Sequence, residues 1–269
     1  MRRRNRAGAW ASALVRGGAL LVGLICLGTT GALEASRALS AHRYDELATM
    51  HEEKPSEMPG TGQPAAAYAA WLTVEGTPID LPVAAVSDGM PADFYLSHDL
   101  WGNRSVLGCP YLDERCTETG RHILVYGHRI GWTDEVFTPL ADCYHQQRFD
   151  ALGEARWESA DGAVTAFRPL CALCVPASFA PIQRFGFTDT DGLRSWLKDI
   201  AAQADARTAD WEKRVAQTER VLTLVTCSET NGHSATRTLV VFVASTPANT
   251  RREAGLPLWE TGLEHPDGR

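Results

Sequence analysis

Val221-Leu-Thr-Leu-Val-Thr-Cys227, the polar stretch Ser228 to Thr236, and Arg237-Thr-Leu-Val-Val-Phe-Val243 decide how this chain is read. Two runs of alternating and β-branched apolar residues flank a loop of Ser, Glu, Thr, Asn, Gly and His, the pattern of two strands joined by a connection. If they form an antiparallel hairpin, Cys227 at the end of the first and Arg237 at the start of the second meet at one edge of a sheet. Similar runs recur upstream at Trp71 to Val74, Leu81 to Val86, His122 to Tyr126 and Ala163 to Val175. Helical patterns are confined to about Val136 to Gln147 and Asp191 to Ala206, so the expected fold is a mostly-β barrel with a few decorating helices.

The run His122-Ile-Leu-Val-Tyr126 ends in Gly127-His128. The glycine is expected to let the backbone turn and present the imidazole. A nucleophilic cysteine needs an environment that favours thiolate, a group to protonate the departing amine, and donors for the oxyanion. An arginine stays charged at any working pH, and a histidine can exchange protons near neutrality. Singly, a cysteine ending an apolar strand is ordinarily a buried small hydrophobe, a histidine after a glycine a turn residue, and an arginine opening a strand a solvated one. Together at three strand ends, Cys227, His128 and Arg237 form a candidate catalytic set.

The chain has 269 residues, 44% of them apolar, enough for one sizeable core and an appendage. Its net charge is −7, and five arginines with no acids lie before Glu34, so the remainder is more acidic still and would repel nucleic acid. Met-Arg-Arg-Arg-Asn-Arg opens a largely apolar stretch to Leu33, read as a basic cytoplasmic tip and a membrane span from Gly17 to about Ala35, with Arg16 snorkelling at the interface. The rival reading is a signal peptide cleaved near Thr30-Gly31-Ala32. The expected organisation is a tip and anchor over 1–35, a helical spacer lifting the domain off the membrane over 36–70, a catalytic domain over 71–246 and an irregular tail over 247–269. Lys54-Pro55 is expected to break the spacer helix. Of seven cysteines, Cys26 falls in the span; Cys171 and Cys174, three apart on a strand, would point to opposite faces and not meet. Cys109 and Cys116 flank a short loop and could pair. No carboxylate cluster at cation-ligand spacing appears, and no cofactor is expected.

Leu222-Thr-Leu-Val-Thr-Cys227 resembles the sortase signature Thr-Leu-x-Thr-Cys, Arg237 sits where that family keeps its arginine, and Val125-Tyr-Gly-His128 is similar to its histidine strand. Val74 to Val83, Phe94 to Asp99, Gly102-Asn-Arg-Ser105, Gly108 to Asp113 and the helical insertion Phe185 to Ala206 are similar, in order and spacing, to class B members, over about residues 65 to 245. The resemblance implies an eight-stranded sortase barrel with an N-terminal helical extension, and a membrane-held, extracytoplasmic cysteine transpeptidase. Cys227 would attack a threonine carbonyl in the C-terminal sorting signal of a surface protein and form a thioacyl enzyme. His128 would protonate the leaving amine and Arg237 would hold the oxyanion or the substrate backbone. A peptidoglycan stem-peptide or pilin amine would resolve the intermediate, and Leu96 and Thr226 would contact substrate.

Ala92 stands where many class B members have an asparagine, which puts signal preference in question. His233 is a second candidate base, placed in the polar loop rather than at a strand end. A cysteine hydrolase and a non-enzymatic binding domain on the same scaffold are the competing readings. The second predicts loss of one catalytic position, and the sequence retains all three. The cluster Ser/Thr-His-Gly-Cys that marks L,D-transpeptidases is absent from Val225-Thr-Cys-Ser228. The stretch Gly255 to Arg269 lacks a hydrophobic tail, so the chain is not expected to be a sorting substrate itself.

Overall fold

The computed structural model describes residues 4–53, 67–131, 133–229 and 235–245. The described residues form nine strands: β1 (Ala67–Val74), β2 (Asp80–Ala85), β3 (Tyr111–Leu112), β4 (His122–Tyr126), β5 (Ala155–Ser159), β6 (Val164–Pro176), β7 (Ala206–Arg207), β8 (Arg220–Cys227) and β9 (Thr236–Ala244). They are joined in the order β5-β1-β2-β3-β4-β8-β9-β6, and a further β5–β6 pairing closes those eight strands into a barrel with β7 appended to β6. Closure leaves the ring without unpaired edges. Two of its junctions, β2–β3 and β4–β8, are parallel.

Alternation along the strands divides the apolar residues between two sides of the wall. Ile123, Val125, Leu222, Leu224, Val240 and Phe242 fill the barrel. Leu124, Val221, Val225, Leu239 and Val241 face outward and are covered by helix α3 (Thr190–Ala202) through Leu193, Trp196, Leu197 and Ile200. Asp189 caps this helix by accepting from the Gly192 amide at 2.7 Å. Two shorter helices, α2 (Gln146–Phe149) and α4 (Trp211–Gln217), complete the decoration.

His122 fastens the α3 layer to the wall. Its Nδ1 lies 2.8 Å from the Arg184 carbonyl and its Nε2 3.0 Å from the Thr223 hydroxyl, so Nδ1 carries the proton and the hydroxyl donates to Nε2. Phe185 stacks on the ring and Trp196 packs against it at a tilt. Burial pushes the imidazole down to about 4, offset in part by the Arg184 carbonyl and the Asp113 charge. The unfolded chain takes up this proton near pH 6.5 while the folded one resists until about 4, so the stabilisation is complete above 6.5 and fades as pH falls. Urea unfolding at pH 7.5 and 4.5 should show the native protein losing about 2–3 kcal/mol more than His122→Gln.

The N-terminal helix differs from expectation. α1 (Arg4–Glu53) is continuous across the expected boundary at residue 35, and the break expected at Lys54-Pro55 lies outside the described residues. Its second half does not hold the barrel away. Arg37, Ser40, Tyr44, Leu47 and His51, spaced three and four apart, form one helix face that lies on the barrel. Arg37 pairs with Glu135 at 3.4 Å, Ser40 bonds Ser105 at 3.2 Å, and Leu47 joins the core. His51 stacks on Trp71 with centroids 4.2 Å apart and reaches Glu158 at 3.6 Å. The first half leaves Leu20, Leu21, Leu24, Ile25 and Leu27 exposed, and this is one helix long and apolar enough to cross a membrane.

Two further expectations are corrected. The segment 136–147 is a 3-10 turn at Thr138–Leu140, then turns that lead into the short α2 at Gln146, and Val136 itself takes a positive φ of 52° that no α-helix admits. Cys109 and Cys116 are both free: the first thiol lies 3.6 Å from the Pro82 carbonyl, the second 3.2 Å from that of Asp113.

Candidate active site

β8 and β9 pair antiparallel with Cys227 directly opposite Arg237. On its other side β8 runs parallel to β4, Tyr126 opposite Val225, and the Gly127 amide continues the ladder to the Val225 carbonyl at 3.0 Å. Carried on by the same register, His128 comes level with Cys227. Parity then assigns the faces. Val225 and Leu239 point to the outer side, so Cys227 and Arg237, each two positions away on the same strands, belong to that side too. Two adjacent strands thus deliver Cys227 and Arg237 to one edge and one face, and His128 follows two residues beyond the end of β4; each of the three is half-buried.

Thr226 has the opposite parity. It is 3% exposed, opposite Thr238, and its hydroxyl finds no hydrogen-bond partner among the described residues. Its side chain therefore belongs to the barrel wall and not to the face of Cys227. Leu96 is half-buried in the 3-10 turn Phe94–Leu96. Burial lowers the His128 pKa, and the Leu96 carbonyl acts against that. His233 lies outside the described residues.

Gly127 serves a different purpose from the one expected. Its φ is not positive; a Cβ there would stand 2.3 Å from the ring of Phe137, which is fully buried and whose amide donates to the His128 carbonyl at 3.0 Å. The glycine makes room for the ring that braces the histidine. Gly127→Ala should cost about 1–3 kcal/mol in urea unfolding, because ring or strand must shift.

Arg129 went unread in the sequence. It donates to the Ser228 carbonyl and reaches Asp142 at 3.7 Å, with a side chain 7% exposed, so it ties the loop after His128 to the loop after Cys227. Its adjacency to His128 was the available signal. Beside Arg237, Tyr126, Val175, Phe179, Ile182 and Leu239 line a small cleft. Across Tyr126 a second cleft of about 280 Å3 is bounded by Ala92, Asp93, Tyr111 and Asp113. Arg115 grips Asp113 with two bonds of 2.7 and 2.8 Å and holds its pKa down against burial. Among the other thiols, burial pushes Cys109, Cys143 and Cys171 up to about 12 and Cys116 to about 11, leaving them protonated and inert. No group of three potential metal ligands occurs among the described residues.

No protein-family model and no curated protein matches the sequence. Solved structures do match. Clostridium perfringens sortase B is 23% identical, with TM-score 0.57, over 71% of this chain and 98% of that one. A Staphylococcus aureus sortase B-substrate complex is 18% identical, with TM-score 0.61, over 77% and 96%. A sortase B complexed with triglycine is 17% identical, with TM-score 0.61, over 77% and 97%. At such identities the likeness is one of architecture, and the closed eight-stranded wall, the crossover helices and the N-terminal helix give this chain the class B sortase fold.

Proposed function

We propose that this protein is a membrane-anchored cysteine transpeptidase of the sortase type. What supports the reading is the pairing of Cys227 opposite Arg237 at the end of β8, beside the strand β4 that leads into His128. Cys227 attacks the carbonyl of a threonine within a C-terminal sorting signal, and the carbon–nitrogen bond breaks as His128 gives the leaving amine a proton. The thioacyl enzyme then passes its acyl group to an incoming amine, which returns a proton to His128 as the carbon–sulfur bond breaks and frees the Cys227 thiolate. Arg237 supplies fixed positive charge to the oxyanion or to the substrate backbone. The complexes of sortase B with substrate and with triglycine fit a peptide donor and an amine acceptor. A peptidoglycan stem peptide or a pilin is the acceptor class we assign. The exposed apolar half of α1 supplies the membrane anchor, with the barrel outside the cytoplasm.

The test is intact-mass analysis of the detergent-solubilised full chain incubated with a library of threonine-containing sorting peptides, with and without an amine. An acyl adduct on Cys227 released by the amine as a new amide supports the reading. Release by water alone makes the protein a hydrolase, and absence of any adduct ends the transpeptidase reading.

A further inference from the structure

The strand pairing that sets Cys227 opposite Arg237 weakens one residue later. The Ser228 amide is 3.4 Å from the Thr236 carbonyl, longer than an ordinary N–H···O bond, and the two hydroxyls meet. On the other side of β8 the ladder from β4 reaches the Val225 carbonyl through the Gly127 amide. Past these points one side chain joins the two segments directly: Arg129, whose guanidinium donates to the Ser228 carbonyl. His128 is the residue before the arginine and Cys227 the residue before the serine, so the bond lies one step of chain from each.

The arginine is itself held in place. Its backbone bridges to Val136, and the Phe137 amide donates to the His128 carbonyl at 3.0 Å. The Thr238 hydroxyl on β9 donates to the Ala141 carbonyl at 2.5 Å and so fixes the neighbouring Asp142, whose carboxylate lies 3.7 Å from the guanidinium. This placement is costly. The Arg129 side chain is 7% exposed, its carboxylate partner is loose and 48% exposed, and its Nε–H has no hydrogen-bond partner among the described residues. A buried guanidinium left so incompletely bonded contributes no more to stability than an apolar side chain of similar length. Stability does not account for an arginine here, whereas its grip on the Ser228 carbonyl does.

We propose that Arg129 is a positioning residue for the catalytic pair, its bond to the Ser228 carbonyl fixing how far Cys227 stands from His128. The tie is a matter of geometry alone; only its effect on rate rests on the transpeptidase reading. Without it the start of the β8–β9 connection and the segment after His128 can drift apart, and a thiol and imidazole displaced by about 1 Å lose rate while substrate binding changes little.

The experiment uses the detergent-solubilised full chain as native protein, Arg129→Met and Arg129→Lys. Methionine keeps the length and removes every donor; lysine keeps a charged donor that can reach one carbonyl. We expect kcat for amine transfer to fall about 30-fold in Arg129→Met with KM within about twofold, and Arg129→Lys to recover to within about fivefold of native. The unfolding midpoint should hold in Arg129→Met, since a costly buried charge leaves with the lost bond. Amide hydrogen exchange, read by mass spectrometry, should quicken together over the segments that hold His128 and Cys227. Transfer by Arg129→Met within about threefold of native overturns the proposal. So does a loss of kcat that accompanies a lowered midpoint and that Arg129→Lys fails to restore, which is what a merely structural arginine would give. If the native chain transfers no acyl group, the transpeptidase reading falls; joint quickening of exchange then still upholds the tie, and unchanged exchange in either segment overturns it.

Discussion

Cys227→Ala should lower amine transfer by about 10^4-fold or more, leaving no adduct with any sorting peptide. The size follows from the chemistry: an alanine has no group with which to form the thioester, and no other thiol among the described residues lies at the strand end opposite Arg237. Cys174 provides the control. It lies on β6, half-buried and free, and Cys174→Ala should transfer within about twofold of the native protein, as surface substitutions away from special features do. Parallel progress curves with a fluorogenic peptide, and intact mass for the adduct, check both. An active Cys227→Ala protein would end the proposed mechanism.

Arg237→Lys should lose about 100-fold or more of transfer while Cys227 remains open to methanethiosulfonate. The guanidinium is placed by the Cys227–Arg237 pairing and by a bond from its own Nη1 to the Thr236 carbonyl at 3.0 Å. It is close enough to Tyr111 to oppose the burial that raises that phenol's pKa. A guanidinium carries its N–H donors in a rigid planar fork that matches an oxyanion or a peptide carbonyl. An ammonium on a flexible stem keeps the charge and loses the fork, so retained activity would reduce Arg237 to a bystander. Single-turnover acylation separates the two possibilities, since modification of the thiol reports folding and acylation reports the oxyanion step.

The sequence made some of this legible and concealed the rest for definable reasons. β4, β6, β8 and β9 were readable because long β-branched runs carry their own period. β5, Ala155-Arg-Trp-Glu-Ser159, has no such run, and the two-residue strands β3 and β7 are too short to have a period at all. Cys227 and Arg237 could be brought together by a hairpin alone. His128 could not: its strand lies parallel to β8 across a connection that contains β5, β6, β7 and three helices, so only the resemblance placed it. The docking face of α1 was visible as a three-and-four spacing, but its members are mostly polar, and polarity was read as solvent exposure. They are polar because they bond to loop backbone and carboxylates rather than to an apolar wall.

The unbroken α1 helix also governs how enzyme and substrate can meet. Residue 35, the expected end of the membrane span, and Arg37, the first residue to grip the barrel, are separated by only about 3 Å of helical rise. On the anchored reading the domain is bolted to its own stalk, without a hinge to swing or stretch toward a target. All the reach must then come from the other partner. Capture would depend on the length and stiffness of the chain that joins a sorting signal to its own membrane segment, since that tether alone sets the local concentration of threonine at Cys227.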